Sequence, residues 1–205
     1  MRGVEQIPFI YDAMMAVMEF FGLRRWREVL VAGARGPTLD LGCGTGRNLP
    51  RYAEGALVVG LEPSIDALKK ARRRAPGVPL VRGSAHALPF RPGTFQTVVS
   101  GLVFCSVPDA ERGLNEVKRV LKADGELRML EHVRSTSVLK GRWQDFIQPA
   151  WTAVAGGCHP NRDTEAAVQR AGFQIAADTR RANGTMRLFT ATRASPRTSP
   201  SRTPA

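Results

Sequence analysis

Cysteine is scarce in this chain: Cys43, Cys105 and Cys158 are the only three among 205 residues. Odd in number and far apart, they exclude a disulfide framework and suit a reducing compartment. Their scatter offers no ligand-like spacing either, so no metal site is expected. Long apolar runs are also missing. The most hydrophobic N-terminal stretch, Ile7 to Leu23, is interrupted by Asp12 and Glu19, and no segment is apolar for long enough to span a bilayer. No basic lead runs into an uninterrupted apolar core, so a secretory signal is not expected and the chain reads as soluble and cytoplasmic. Acids are few, 18 against 30 Lys and Arg, for a formal net charge of +12. Such a balance favours association with nucleic acid, anionic lipid or acidic ligands but says nothing of fold.

What remains is an ordinary globular composition, 43% hydrophobic and 23% charged, enough for one domain around a single core. Near the start, Glu5, Asp12 and Glu19 recur every seven residues on one helical face, with Ile7, Tyr11, Met14, Met18 and Phe21 opposite. Residues 1–35, including a short second helix near Trp26–Val31, are expected to form an N-terminal helical lid. Strand-like runs then follow at Thr38–Leu41, Leu57–Glu62, Pro79–Val81, Thr97–Ser100 and Glu126–Val133. Helical segments are expected between them near Asn48–Glu54, Ser64–Arg74 and Asp109–Lys122, the last with Asp109 as N-cap. Alternation of this kind indicates βαβ units and a mostly parallel sheet. It fails between 134 and 160, which reads as an insertion holding Trp143, Phe146 and Trp151. A helix at Asp163–Ala171 and β-like runs at Phe173–Asp178 and Arg187–Thr192, turning near Asn183-Gly184, complete a main domain of residues 36–193. Residues 194–205 contain only Ser, Pro, Thr, Arg and Ala and read as a disordered tail.

Chemistry is concentrated in the strand–helix turn Leu39-Asp40-Leu41-Gly42-Cys43-Gly44-Thr45-Gly46. Glycines there let the backbone turn sharply and a ligand come close. A dinucleotide fingerprint needs glycine at i, i+2 and i+5, but Arg47 stands at the last position and no P-loop lysine follows. Asp40 suits a ligand carrying an ammonium group better than one carrying phosphates. About twenty residues on, Glu62 closes the second strand, where a carboxylate can accept hydrogen bonds from both ribose hydroxyls. The basic run Lys69, Lys70, Arg72, Arg73 and Arg74 reads as a solvated face at a helix C-terminus.

The glycine turn resembles the first motif of class I S-adenosylmethionine-dependent methyltransferases. That resemblance implies a single Rossmann-like α/β domain with a mostly parallel seven-stranded sheet, helices on both faces and an antiparallel last strand. It also implies S-adenosylmethionine as cofactor, S-adenosylhomocysteine as product, and no metal. Cofactor contacts are expected from Asp40, Gly42, Cys43, Gly44 and Gly46, then from Glu62 and Pro63. Gly83-Ser84-Ala85 is similar to the family's adenine-binding turn, with Ser84 where an acid is usual, so Ser84 and Ala85 are expected at the base. Gln96 likewise stands where the fourth strand usually carries Asp. Ser100, Gly101 and Leu102, at that strand's carboxyl end, should flank the methionine part. Leu102–Asp109, Leu130–Val133 and Gly157–Arg162 narrow the similarity to small-molecule methyltransferases related to animal membrane-associated thiol S-methyltransferases.

The expected function is methyl transfer to a small, fairly apolar acceptor, a thiol included; a lipid amine or a quinone-like ring is the alternative. An in-line displacement on an activated methyl needs alignment and exclusion of water more than a side-chain nucleophile. His132, just past the fifth strand, is the candidate catalytic residue on the acceptor side. Acceptor contacts are expected from Tyr11 and Met14 in the lid and from Phe104, Trp143 and Trp151. His86 is placed at the pocket rim. A nucleic-acid-binding protein is a further reading of the charge, but Ser100–Phe104 lacks the Pro-Pro-aromatic run of nucleic-acid amino methylases, and no RNA-binding signature appears. Peripheral membrane contact has no anchor to support it. A monomer and a dimer are both compatible with the sequence.

Overall fold

Successive residues of the central strands feed opposite cores, as a pleated strand with both faces covered must. Val98, Met129 and Phe189 join one apolar cluster, while their neighbours Val99, Leu130 and Leu188 join the other. The computed structural model describes residues 12, 15–135, 137–154, 159 and 161–194, with 21 and 150–154 in backbone only.

The strands are β1 (Thr38–Leu41), β2 (Val58–Glu62), β3 (Leu80–Arg82), β4 (Phe95–Gly101), β5 (Leu121–His132), β6 (Phe173–Ile175), β7 (Arg181–Asn183) and β8 (Met186–Arg193). The helices are α1 (Arg24–Ala32), α2 (Ile65–Arg74), α3 (Ala110–Val120), α4 (Val138–Val154) and α5 (Thr164–Arg170). Sheet order is β3-β2-β1-β4-β5-β8-β6, with β7 also on β8. The first five lanes are parallel, and β8 runs antiparallel to β5. Leu30 and Val31 of α1 cover one face, and Leu114 and Val117 of α3 with Val168 of α5 cover the other. Three helices begin on side-chain caps: Ser64 accepts from Ala67 N, Asp109 from Arg112 N and Asp163 from Ala166 N.

The sheet has eight strands where seven are expected, because its seventh lane is split. β6 and β7 lie on the same side of β8, joined by a 3₁₀ turn at Ala177–Thr179. The Thr179 hydroxyl fills the gap by accepting from Thr190 N at 3.0 Å. Two other differences have local causes. The helix expected at Asn48–Glu54 shrinks to a 3₁₀ turn, Leu49–Arg51, with Pro50 inside it and Gly55 at φ +75° just beyond. Residues 123–125, between the expected helix Asp109–Lys122 and the expected strand Glu126–Val133, are absorbed into β5 as a bulge, between the pairs Phe95–Leu121 and Thr97–Glu126. The insertion contains a helix, α4, and among the described residues no helix is long and apolar enough to cross a membrane.

Gly46 locks the glycine turn onto α2. It sits at φ +80°, and a Cβ there would lie 2.8 Å from Ala71 Cα. Gly46→Ala should therefore lower unfolding free energy by roughly 2–4 kcal/mol, combining left-handed strain with overpacking. Urea denaturation checks this; an unchanged midpoint would show that the turn does not need to approach the helix.

Candidate active site

Strand order reverses between β1 and β4, and the carboxyl ends of β1, β2 and β4 open there on a cavity of about 710 Å³. Both position and size suit a small-molecule ligand. Gly42, Gly44 and Thr45 line it from the turn after β1, and Glu62 and Pro63 from the end of β2. Ser84, Ala85 and His86 close another side, and Gly101 and Leu102 reach in from β4.

Glu62 is braced from both flanks. Its Oε2 accepts from Gly44 N at 3.2 Å and its Oε1 from Ser64 N at 2.9 Å. Each oxygen keeps accepting capacity on the cavity side, which matches a vicinal diol. Burial pushes its pKa up, against the pull of those two N–H groups. Gly44, at φ +55°, has no neighbour within 4 Å of a would-be Cβ except Gly42 O at 4.0 Å, so the backbone there is open to a close ligand. The glycine turn leads into a three-residue 3₁₀ turn instead of a long α-helix, so it lacks the helix N-terminus that holds a pyrophosphate. An acid-braced, diol-matched cavity without a phosphate seat fits a nucleoside that carries no phosphate.

Several expected contact residues sit behind the cavity wall. Asp40, 1% exposed, lies beneath the glycine turn. Its Oδ1 accepts from Asn48 Nδ2 at 3.5 Å, and Asn48 Oδ1 accepts from Arg27 Nη1 at 2.8 Å. Asp40 Oδ2 has no hydrogen-bond partner among the described residues. Burial drives the Asp40 pKa up to about 7, opposed by Asn48, Tyr52 and Arg27. Cys43 turns its thiol into the core, where burial raises the thiol pKa. Ser100 is fully buried and donates to Glu131. Phe104 is a core residue and not a cavity residue; its ring edge rests where a side chain at Gly113 would be, 3.0 Å from a would-be Cβ.

On the acceptor side, His132 is held at the end of β5, with Nε2 2.6 Å from Thr185 Oγ1, and does not line the cavity. Trp143 is 61% exposed and packs on Phe146 at 5.8 Å between ring centroids. Tyr11 and Met14 lie outside the described residues, as does the Trp151 side chain. Sequence reasoning passed over Val103, Ser106, Val107 and Pro108, which line the cavity. Their place between a strand end and the Asp109 cap was the available signal.

The acidic face of the N-terminal segment has partners. The Thr45 hydroxyl donates to Asp12 Oδ1 at 2.7 Å, and Arg47, Lys70 and Arg74 pair with the same carboxylate. Glu19 pairs with Arg27, Arg47 and Arg51. Lys70 and Arg74, expected on a solvated face, thus reach across to this segment. Burial alone would raise the Asp12 pKa, but Thr45, Arg74 and Arg47 outweigh it and hold the carboxyl low. Gly22, at φ +110° inside the π-helical turn Glu19–Leu23, lets the segment bend before α1.

Fold and cavity give an α/β domain with a small-molecule cavity at the switch point of a parallel sheet. Comparisons give the class a name. Residues 39–129 match a family described as a methyltransferase domain. The chain is 30% identical over 172 residues to human thiol S-methyltransferase TMT1A, covering 80% of this chain and 70% of that one. It is 31% identical over 165 residues to demethylmenaquinone methyltransferase of Thermotoga maritima, covering 77% and 72%. Its fold matches a Thermotoga maritima structure described as an S-adenosylmethionine-dependent methyltransferase, possible histamine N-methyltransferase, with TM-score 0.72, 22% identity and coverage of 92% and 96%. The chain spans 58% to 72% of the length of the sequence relatives it matches. It belongs to the class I S-adenosylmethionine-dependent methyltransferases, enzymes that use this sulfonium nucleoside as methyl donor.

Asp40 and Glu131, both buried, have pKa values of about 7 against ordinary values of 3.8 and 4.5. A carboxyl whose folded pKa is raised holds its proton better when folded, so the stability it contributes falls as pH rises between those limits. Unfolding free energy should therefore drop between about pH 5 and pH 7.5. The drop should be smaller in Asp40→Asn, which has no proton to lose. Urea titrations at the two pH values check the sign; an equal slope in D40N would show that Asp40 does not titrate there.

Proposed function

We propose that the cavity is the methyl-donor site and that the acceptor is a small, fairly apolar molecule, with a thiol as the favoured class. The observation that carries the donor assignment is Glu62, fixed by Gly44 and Ser64 with free lone pairs toward the cavity. In this reading Glu62 takes the ribose hydroxyls, and Gly42 and Gly44 let the nucleoside lie against backbone. Ser84 and Ala85 meet the adenine, Pro63 packs nearby, and Gly101 and Leu102 flank the methionine portion. Asp40, Cys43, Gly46 and Ser100 support the site from behind, by holding the turn and the strand end. The N-terminal segment is a lid, latched to the glycine turn by Asp12 and Glu19.

Bound S-adenosylmethionine supplies an electrophilic methyl on a sulfonium. The acceptor's lone pair forms the new bond to that carbon as the carbon–sulfur bond breaks, leaving a neutral thioether. Leu102, Val103 and Val107 offer an apolar wall that excludes water from this line of attack. No metal is needed for such a displacement. This reading assigns His132, just before the 134–160 insertion, to the acceptor side, with Trp143 and Trp151 as acceptor contacts. The demethylmenaquinone relatives support a second reading, a quinone-like ring as acceptor.

Release of S-adenosylhomocysteine, screened across thiols, quinols, amines, phenols and phospholipids, should be greatest with an apolar thiol. Turnover confined to quinols would favour the second reading. Glu62→Ala should weaken S-adenosylhomocysteine binding roughly 30-fold, for two hydrogen bonds near 1 kcal/mol each, as read by calorimetry. Unchanged affinity would refute the donor site. His132→Ala should depress turnover with donor affinity retained; full turnover would remove it from the acceptor side.

A further inference from the structure

Glu131 is a fully buried carboxylate that neither the displacement nor the donor contacts described above employ. Four donors converge on it, all from one segment. Its Oε1 accepts from the Ser100 hydroxyl at 3.2 Å and from Val103 N and Phe104 N at 3.1 Å each. Its Oε2 accepts from Cys105 N at 3.2 Å. Three consecutive backbone N–H groups thus point inward to one side chain of the neighbouring strand.

The other side of the same segment is gripped from the stretch between α4 and α5. Arg162 Nη1 donates to Phe104 O and Val107 O at 2.5 Å each, and His159 N donates to Cys105 O at 2.8 Å. In a planar trans peptide, an N–H aimed at Glu131 turns the preceding carbonyl away from it. The Val103 N–H bond therefore fixes the direction of the Leu102 carbonyl. Leu102 stands at φ +62°, and it is the non-glycine residue in the left-handed region among those described. A leucine holds that conformation only where its surroundings enforce it. Leu102 also lines the cavity, beside Gly101 and Val103.

We propose that Glu131 is a positioning residue for methyl-donor binding: its carboxylate, opposed by Arg162, holds Leu102 in the left-handed conformation that shapes the cavity wall. This rests on the donor-site reading given above. The need for an acceptor of hydrogen bonds explains why an acid interrupts the apolar run Met129-Leu130-Glu131. A leucine there would fill the volume but leave three N–H groups without partners.

The test is a double-mutant cycle read by calorimetry with S-adenosylhomocysteine, which requires no acceptor. Glu131→Gln replaces one accepting oxygen with an NH₂ group facing N–H donors. It should weaken affinity about tenfold, equivalent to ~1.4 kcal/mol. In the L102G background, where the left-handed conformation carries no side-chain penalty, the same change should cost about threefold or less. An equal loss in both backgrounds, or no loss in either, would overturn the proposal, since a general packing role has no reason to depend on residue 102. If E131Q does not fold, Arg162→Met loosens the opposite grip. It should show the same dependence on L102G, and independence would overturn the proposal equally. Glu62→Ala separates the two readings: affinity insensitive to Glu62 sinks the donor site itself, whereas sensitivity to Glu62 with none to Glu131 sinks only the positioning role.

Discussion

A carboxylate withdrawn from water is costly unless hydrogen-bond donors surround it, and along one sheet edge this protein meets that condition at Glu62 and Glu131 and in part at Asp40. Asp40 in β1, Glu62 ending β2 and Glu131 in β5 each stand at or next to a strand's carboxyl end. Each holds a different piece of chain. Through Asn48, Asp40 ties the glycine turn to Arg27 of α1. Glu62 fixes the amides of Gly44 and Ser64, and Glu131 gathers three successive amides after β4. The cavity has its shape because loops that would otherwise wander are bonded to acids fixed in a rigid sheet. Only Glu62 of the three also lines the cavity, so a single edge supplies both ligand contact and support.

The sequence made the fold legible because its signals are local. Parallel strands buried on both faces show as short apolar runs, and Ser64, Asp109 and Asp163 mark helix starts by the oxygen they offer to an orphan N–H. The Gly42, Gly44 and Gly46 pattern located the site correctly, yet the spacing could not divide their labour. Gly44 faces the cavity while Gly46 exists to let Ala71 come close, a distinction that depends on a helix some twenty-five residues later. Phe104 shows the same limit. Its place after a strand end suggested a ligand contact, but Gly113 leaves room for the ring in the core. The split seventh lane was equally hidden, because three extra residues in an edge strand look the same as a turn. Glu131 was visible as a charge within an apolar strand; its partners, backbone amides almost thirty residues away, were not.

The excess of basic residues acquires a partly internal explanation. Arg47 and Arg74 converge on Asp12, and Arg27 and Arg51 on Glu19, with most of these side chains no more than a third exposed. Ion pairs of this kind are less screened than surface pairs. They also share carboxylates, so each acid is neutralised more than once and cation density around the glycine turn stays high. These arginines do not line the cavity, whose acidic lining residues are Glu62 and Asp66, so their charge serves to hold the N-terminal segment to the glycine turn.

In the proposed reading, donor and acceptor fall on different kinds of structure. Donor contacts come from strand ends and from backbone that buried acids hold in place, which makes them stiff and indifferent to what will be methylated. An in-line displacement asks little more of the protein than alignment and dryness. That economy lets relatives named for thiols and for demethylmenaquinone share this scaffold. Choice of acceptor must then be made by elements that the donor does not constrain. The proposal assigns that choice to α4, with Trp143 and Phe146 on its exposed side, and to the segment carrying His159 and Arg162. Arg162 and His159 bond to the same loop that Glu131 holds from beneath, so the segment after α4 is tied directly to the cavity wall. In the proposed reading a substitution in that segment reaches the donor through hydrogen bonds, with no need for it to touch either substrate.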